Sequence, residues 1–405
     1  MCRNPRKRRK PMTLVSSNQK TTFTHSVVKR VRSSACCGRL LLDLHAILAL
    51  PAPGSDQPSA MSRTFPLSLE PLDAATQAEI EKRFLGCRFG LVRVKETGFL
   101  MPAPYAKYAE KYYNFKFLED DVVVMTHPKC GTTWMQEIVW TMRSGLDFDT
   151  PLELGVRSPF LEFDSLENPE LEPLAEWAEE FRARNPGKDP KEEGLYLFLA
   201  DSSKSPRTIK THLPFSLLNP SLPDTSKVVY VARNPKDASV SYFHHQRLVM
   251  VSEFLGEFPE FFDYFTKDLV TQGPFWKHVE EGWEKRDHPN VLFIFYEDMK
   301  EDIMREMRRL NAFLGTGYTD DQLLKVAEHT KFSNMKSRST TNPTEAALKV
   351  GRFKAGEGEF VRKGVTGDWT AYFTPELEEK FENWVEKWKG VAKEIPFKYK
   401  INKKA

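Results

Sequence analysis

Short apolar runs alternate with longer segments of helical periodicity through most of the chain. The strand patterns lie at residues 121–126, 207–211, 227–233 and 290–296. Runs of β-branched residues such as DVVVMT are typical of parallel strands that are buried on both faces. Trp134, Ile138 and Met142 follow the first run four residues apart and predict an amphipathic helix. The pattern therefore predicts an α/β fold, a single doubly wound domain with a central parallel sheet flanked by helices.

Local signals place two more helices and one long connection. Asn234 is a good N-cap and Pro235 a good first helical residue, so a helix is predicted from there towards residue 249. A charged helix is predicted at 375–389. Residues 337–363 are rich in Gly, Thr, Lys and Arg without periodicity. A loop this long is unusual in a compact domain, so it is interpreted as a mobile functional lid.

Charge divides the chain into two unlike parts. The net charge is +3, yet residues 1–60 carry 11 Lys and Arg against 2 Asp and Glu, so the rest is acidic overall. The expected domains are a basic extension, 1–60, and one domain, 61–405. The extension is interpreted as disordered, with Met61 as a working start, as a transit peptide, or as a basic patch for nuclear import or an anionic surface. Its apolar run, 40–50, is too short to span a membrane, so no transmembrane segment is expected.

Cysteine usage indicates the compartment. Three of the five cysteines lie in residues 1–60, which leaves Cys87 and Cys130 for the domain. Neither a disulfide framework nor a paired zinc motif can be built from two distant cysteines. We therefore expect a cytoplasmic protein without a metal site, with organelle targeting by residues 1–60 as a minor alternative. The basic charge belongs to the extension, so no nucleic-acid partner is expected.

The segment HPKCGTTW lies between a predicted strand and a helix, the arrangement of a phosphate-binding loop. Lys129 supplies a positive charge, and Thr132 and Thr133 supply hydroxyl donors. The lysine precedes Gly131, whereas in the Walker pattern of ATP- and GTP-binding loops it follows the glycine. An ATP-dependent kinase is therefore disfavoured, and a purely structural turn remains an alternative.

Two further basic segments add candidate anion ligands. Arg233 ends a predicted strand and Ser241 lies along the helix that follows. Arg362 and Lys363 precede Gly364 in RKGVTGDW and could hold a phosphate. Taken alone, Arg233 and Ser241 are better explained as a surface arginine and an ordinary helical serine, and Arg362 and Lys363 as a solvated basic loop. His212 follows another strand and could act as a base, although a lone histidine is more often structural.

The chain resembles the cytosolic sulfotransferase family through three segments in this order: PKCGTTW, RNPKDASVSYFHH and RKGVTGDW. The resemblance extends from about residue 65 to the C-terminus. The form of the sequence is closer to the invertebrate members of the family. The resemblance implies a P-loop-like phosphate site and transfer of a sulfuryl group from 3′-phosphoadenosine 5′-phosphosulfate (PAPS) to the hydroxyl of a small lipophilic acceptor. The product nucleotide would be adenosine 3′,5′-bisphosphate (PAP), and no metal would be required.

The resemblance also implies a role for each matching residue. The cradle around the 5′-phosphosulfate would comprise Lys129, Cys130, Gly131, Thr132, Thr133 and Trp134. The 3′-phosphate would be held by Arg233, Ser241, Arg362, Lys363 and Gly364. The rest of the nucleotide would contact Trp134, Tyr296, Thr330, Phe332 and Phe360. His212 would be the catalytic base, acting with Lys129, Lys210 and Ser241, and the acceptor would contact Phe160, Phe163, Lys210 and His212.

Acceptor identity and assembly stay open. Phe160 and Phe163 of SPFLEF resemble an acceptor-site segment but could equally be core residues, and a Phe-rich pocket suits phenols, sterols, retinoids and other lipophilic alcohols. The family's usual dimer motif is altered at Thr370 and Pro375, so a homodimer is uncertain. The alternatives to a sulfotransferase are a P-loop nucleotide kinase, and a family member that binds lipophilic ligands or acts as a dehydratase.

Overall fold

The computed structural model describes residues 63–173 and 175–400, so the extension at 1–60 lies outside the described residues. Within them, strands form two sheets. The strands are β1 (Leu69–Pro71), β2 (Leu91–Val94), β3 (Leu100–Pro102), β4 (Val122–Met125), β5 (Thr208–Thr211), β6 (Lys227–Ala232) and β7 (Val291–Phe295). The first three form an antiparallel sheet, and the last four form the central sheet.

The central sheet is parallel throughout and has the order β5–β4–β6–β7. Val122 lies opposite both Thr208 and Lys227, and Val228 lies opposite Val291. The four predicted strands are confirmed, each shorter by one or two residues than its apolar run. Parallel strands end at one edge of a sheet, so the segments after β4, β5, β6 and β7 are brought together there.

Helices cover both faces of this sheet. Those of eight or more residues are α1 (Ala74–Glu81), α2 (Tyr105–Tyr113), α3 (Thr132–Arg143), α4 (Ala175–Arg184), α5 (Leu195–Ser202), α6 (Pro235–Leu248), α7 (Phe258–Thr266), α8 (Phe275–Glu284), α9 (Ile303–Leu314), α10 (Asp320–His329) and α11 (Pro375–Lys387). The shorter helices are Leu154–Arg157, Pro190–Glu193, Leu222–Thr225, Tyr296–Glu301, Phe332–Ser337, Thr344–Lys349 and Lys389–Ala392, and 3₁₀ turns lie at Leu85–Phe89, Phe163–Ser165, Phe215–Leu217 and Asp368–Ala371. Among the described residues, none of the helices combines the length and apolarity that crossing a membrane requires.

Two apolar clusters form the core. One contains Val122 and Val124 of β4 together with Ile138 and Met142 of α3, and the other contains Val123 from the opposite face of β4. Because successive side chains of a strand point to opposite faces, β4 is buried on both sides. This arrangement confirms the predicted single doubly wound α/β domain.

The capping signals explain where two helices begin. The side chain of Asn234 accepts a hydrogen bond from the backbone N–H of Asp237, and Pro235 occupies the first turn of α6. Pro375 likewise lies in the first turn of α11, whose N-cap Thr374 accepts from Leu377. The prediction of α6 rested on these residue types, whereas α11 was predicted only as a charged helix at 375–389.

The segment 337–363 is more ordered than its composition predicts. It contains the helix Thr344–Lys349, and the Thr344 hydroxyl accepts a hydrogen bond from the backbone N–H of Phe360. A helix of six residues with two buried positions is too short to show periodicity, so the expectation of a loop without regular structure was wrong. The antiparallel sheet was missed for the same reason, because its strands span only three or four residues.

Candidate active site

The loop between β4 and α3 has the backbone shape of an anion cradle. Lys129 and Gly131 both have positive φ, 66° and 108°. A Cβ at Gly131 would lie 2.7 Å from the Tyr296 ring, so only glycine fits there. Residues of alternating handedness direct successive N–H groups towards one point, and α3 begins at Thr132 without a side-chain cap from the described residues. The loop therefore presents backbone donors to a ligand at the sheet edge.

Side chains of the loop divide between structure and site. The Thr132 hydroxyl hydrogen-bonds to that of Thr126 at 2.7 Å, whereas the Thr133 hydroxyl has no partner among the described residues. Cys130 is buried, and its burial raises the pKa of the thiol to about 12. Trp134 packs edge-on against Tyr296, the first residue after β7. The Thr133 hydroxyl is thus available to a ligand, whereas Cys130 is a buried packing residue.

Lys129 is the centre of a positive cluster. Desolvation lowers the pKa of its ammonium to about 7, and the neighbouring charges of Lys210, Arg233 and Arg362 act in the same direction. The ammonium lies 4.3 Å from the centroid of the Phe360 ring. Cations gathered at this density favour an anionic ligand.

Arg233 joins the three segments that the sequence singled out. Its Nη1 donates to the Lys129 carbonyl at 3.2 Å, and its Nη2 donates to the Val365 carbonyl at 2.8 Å. The guanidinium carbon lies 4.6 Å from the centroid of the Tyr296 ring. Its Nε is buried and has no hydrogen-bond partner among the described residues. The phosphate loop, the end of β6 and the RKGVTGDW segment therefore meet at one guanidinium.

The RKGVTGDW segment is fixed to the start of α6. The Asp237 carboxylate accepts hydrogen bonds from the backbone N–H groups of Gly367, at 2.7 Å, and Trp369, at 3.1 Å. Gly364 has a φ of 63°, and a Cβ there would lie 2.2 Å from the Phe332 ring. Glycine is thus required at 364 for both the backbone and the close approach of Phe332.

The remaining nucleotide candidates differ in what they offer. Ser241 is half-buried in α6, and its hydroxyl has no hydrogen-bond partner among the described residues. Arg362 and Lys363 are both paired with Asp368. The Thr330 hydroxyl donates to the Val326 carbonyl at 2.8 Å and is therefore already satisfied within α10. Ser241 can bind a ligand through its hydroxyl, whereas Thr330 is a buried residue of the wall.

His212 lies immediately after β5 with a defined tautomer. Its Nδ1 is 2.7 Å from the Thr126 carbonyl, which can only accept, so Nδ1 carries the proton and Nε2 the lone pair. Its backbone N–H donates to Glu162 at 2.6 Å, and its carbonyl accepts from His278 at 3.0 Å. Burial, followed by the charge of Lys210, lowers the pKa of His212 well below its ordinary value. The imidazole is therefore neutral and oriented, as a general base requires.

Phe160 lies beside His212 and Phe163 lies beside Phe160, and neither belongs to the buried core. Both are half-buried, and the Phe160 ring packs edge-on against His212 with centroids 5.1 Å apart. The Lys210 ammonium lies 3.7 Å from the Phe160 ring centroid, and burial lowers its pKa to about 8 while Glu162 opposes that shift. These contacts favour the interpretation of SPFLEF as a wall of the cleft.

Three carboxylates of the site were missed. Glu162 holds the His212 backbone, Asp237 holds Gly367 and Trp369, and Asp368 holds two cations. Burial raises the pKa of Glu162 to about 7. All three lie inside quoted motifs, and for Asp237 and Asp368 an acidic residue within a basic anion-binding motif was the available signal.

Comparison with known proteins agrees with this geometry. Residues 119–393 match the family described as Sulfotransferase domain, a range that includes all three basic segments. Human sulfotransferase 1E1 is 36% identical over 288 residues, which cover 70% of this chain and 89% of that protein. Luciferin sulfotransferase of Photinus pyralis is 31% identical over 289 residues, 70% of this chain and 75% of that protein.

Solved structures show the same fold. A crystal structure of retinol dehydratase in a complex with retinol and PAP matches with a TM-score of 0.73 and 31% identity, covering 84% of this chain and 100% of that chain. Mouse sulfotransferase SULT7A1 complexed with PAP matches with a TM-score of 0.52 and 26% identity, covering 72% of this chain and 92% of that chain. Both similar structures contain PAP.

Proposed function

The chain belongs to the sulfotransferase family, and we propose that it transfers a sulfuryl group from PAPS to the hydroxyl of a small lipophilic acceptor, with His212 as the general base. The observation that carries the proposal is the position of Arg233, whose guanidinium hydrogen-bonds to the carbonyls of Lys129 and Val365. One doubly phosphorylated adenosine can then contact all three basic segments at once. A kinase is disfavoured by the family match and by the place of Lys129 before Gly131.

The residues fit both ends of such a nucleotide. At the 5′ end, we assign the left-handed turn at Lys129 and Gly131, the free Thr133 hydroxyl and the start of α3. At the 3′ end, we assign Arg233, with its unpartnered Nε, and the free hydroxyl of Ser241, together with Arg362, Lys363 and the backbone at Gly364. The adenosine lies against Trp134, Tyr296, Phe332 and Phe360, with Thr330 behind them.

The reaction needs a base for the acceptor and positive charge at the leaving oxygen. When bound, PAPS supplies the sulfuryl group, together with a phosphate leaving group that gains negative charge during transfer. His212 Nε2 accepts the proton of the acceptor hydroxyl, since Nδ1 is held protonated by the Thr126 carbonyl. Lys129 stabilises the charge on the leaving oxygen, and Lys210 adds positive charge on the acceptor side.

Aromatic rings lie on the acceptor side, next to His212 and Lys210. Phe160 lies against His212, and Phe163 packs against Tyr196 with ring centroids 4.5 Å apart. Aromatic walls suit phenols, sterols and retinoids, and they offer few hydrogen-bond partners to a charged sugar or peptide. We therefore assign a lipophilic alcohol or phenol as acceptor.

A second outcome of the same transfer is elimination. The likeness to retinol dehydratase, which covers all of that chain, favours this possibility for an allylic alcohol. The C–O bond of the sulfate ester would break, sulfate would leave with the bonding electrons, and a base would remove a proton from carbon to give an alkene. Mass spectrometry distinguishes the two products, because a sulfate ester is heavier than the acceptor and the alkene is lighter by one water.

The proposed donor is tested by nucleotide-dependent thermal stability. A ligand that binds only the folded state raises the melting temperature. We expect strong stabilisation by PAP, little by ATP with Mg²⁺, and no effect of chelators. Labelled PAPS is then incubated with a panel of phenols, sterols and retinoids. Stabilisation by ATP with Mg²⁺ in preference to PAP would support a kinase. PAP binding without transfer to any acceptor would instead support a family member that only binds lipophilic ligands.

A further inference from the structure

A single carboxylate already pairs with two of the three cations assigned to the 3′-phosphate. Arg362 Nη2 lies 2.7 Å from Asp368 Oδ2, and Lys363 Nζ lies 2.7 Å from Asp368 Oδ1. The Asp368 side chain is 9% exposed, whereas those of Arg362 and Lys363 are 21% and 48% exposed. The carboxylate is therefore more buried than either of the cations that it pairs with.

The charge state of this carboxylate is defined. Although burial acts to raise its pKa, the hydrogen bonds and charges of Lys363 and Arg362 lower the pKa of Asp368 below its ordinary value. Asp368 is thus ionised at neutral pH, and each of its oxygens accepts from one cation. A bound phosphate would be a second anion with the same two partners.

The shape of the loop does not depend on that carboxylate. Asp237 holds the backbone N–H groups of Gly367 and Trp369, the residues on either side of Asp368. The indole of Trp369 is also fixed, because its Nε1 donates to the Tyr399 carbonyl at 3.0 Å. Removing only the charge of Asp368 leaves these contacts unchanged.

We propose that Asp368 is an internal counter-ion that competes with the 3′-phosphate of the nucleotide for Arg362 and Lys363. This inference rests on the proposed PAPS site and concerns how selectively that site binds. A nucleotide without a 3′-phosphate leaves the two ion pairs intact. A nucleotide with one must share the cations with Asp368, and two anions so close to each other repel. Asp368 therefore weakens binding of 3′-phosphorylated nucleotides and speeds their release.

The test compares PAP with 5′-AMP on the Asp368→Asn variant of the full chain. Asparagine keeps the shape of the side chain and removes its charge. We expect the Kd of PAP, measured by calorimetry, to fall roughly three- to tenfold, because Asp368 makes two ion pairs and one partly exposed pair contributes up to about a fivefold change in an equilibrium constant. The Kd of 5′-AMP should change by no more than about twofold, because this nucleotide has no 3′-phosphate to compete with Asp368. Stopped-flow release of PAP slows by the same factor as its Kd falls.

Asp320→Asn is the matched control. The Asp320 carboxylate makes two hydrogen bonds to Arg308, at 2.9 and 2.8 Å, on the surface formed by α9 and α10. Its loss removes a carboxylate–arginine pair that is more exposed than the pairs of Asp368, at a site without a proposed nucleotide role. Neither nucleotide should change its Kd in this variant.

A double-mutant cycle with Lys363→Met gives an independent readout. In the wild-type chain Lys363 is shared with Asp368, so its loss costs less PAP affinity than in the Asp368→Asn background. Unchanged or weaker PAP binding in a folded Asp368→Asn variant, or strict additivity in the cycle, overturns the inference. Should Asp368→Asn not fold, Asp368→Ser gives the same comparison. Failure of the wild-type chain to bind PAP at all would instead overturn the proposed function.

Discussion

Replacement of His212 by asparagine isolates the proposed base from the structure around it. The asparagine side-chain amide can occupy the position of Nδ1 and keep the hydrogen bond to the Thr126 carbonyl, which is 2.7 Å away. The backbone contacts of residue 212 to Glu162 and His278 do not involve the side chain and are retained. Only Nε2 and the edge contact to Phe160 are lost.

The magnitude follows from the environment of the imidazole. General base catalysis contributes about 10²–10⁴-fold. Burial and Lys210 lower the pKa of His212, which keeps the base neutral but also makes it a weaker proton acceptor. We therefore expect the lower half of the range, a 10²–10³-fold loss of kcat, or about 2.7–4 kcal/mol in the activation free energy. The Kd of PAP should stay within about threefold, because His212 contacts the acceptor side.

The assay is single-turnover transfer from labelled PAPS, with PAP binding measured by calorimetry on the same sample. Protonation of His212 should cause no loss of the wild-type rate as the pH falls through 6.5, because its lowered pKa keeps it neutral until more acidic conditions, whereas Glu162, with a pKa of about 7, takes up a proton in this range. Undiminished turnover in His212→Asn would refute the base assignment. A loss of PAP binding equal to the loss of turnover would show that His212 supports the nucleotide site instead.

Three other perturbations test the proposed roles of Lys129, Gly364 and residues 1–60. Desolvation and nearby cations lower the pKa of Lys129 to about 7, so at pH 8 it is largely neutral in the free protein and a bound phosphate raises its pKa again. PAP binding should therefore take up roughly 0.5–0.9 protons at pH 8, and affinity should fall as the pH rises above 7. Calorimetry in buffers of different ionisation enthalpy measures this uptake, and its persistence in Lys129→Met would assign it elsewhere. Gly364→Ala should weaken PAP binding at least about tenfold, through a Cβ 2.2 Å from Phe332. Gly367→Ala is the control, with the same left-handed backbone and open space around it, and equal effects would remove Phe332 from the explanation. A chain that begins at Met61 should keep wild-type PAP binding and turnover, and loss of folding on this truncation would show that the domain boundary is wrong.

The sequence predicts the framework of the fold well, for a physical reason. Strands buried on both faces need uninterrupted apolar β-branched runs, and β4 and β6 show them directly. The starts of α6 and α11 follow from Asn234-Pro235 and Thr374-Pro375, whose local chemistry decides helix entry. The helix Thr344–Lys349 and the strands β1, β2 and β3 were missed, because six helical residues or three to four strand residues leave too few positions for a periodic pattern.

The site is predictable only as far as residue type and motif order reach. Lys129, Arg233 and Arg362 were identified by charge. The sequence does not show, however, that Lys129 and Arg233, which are 104 positions apart, are joined by a hydrogen bond in the fold. The tautomer of His212 depends on a carbonyl 86 residues away. Asp368 was overlooked because the motif was read for cations, and the pairing of both cations with one carboxylate is visible only in three dimensions.

The proposed function requires that the phosphate loop, the end of β6 and the RKGVTGDW segment together bind one doubly phosphorylated adenosine. A crystal structure of the full chain with PAP measures this directly. We expect one PAP per chain, with its 5′-phosphate at the backbone of Lys129 and Gly131 and its 3′-phosphate at Arg233 and Arg362. A nucleotide bound elsewhere, or one whose two phosphates contact only one of the three segments, would contradict it.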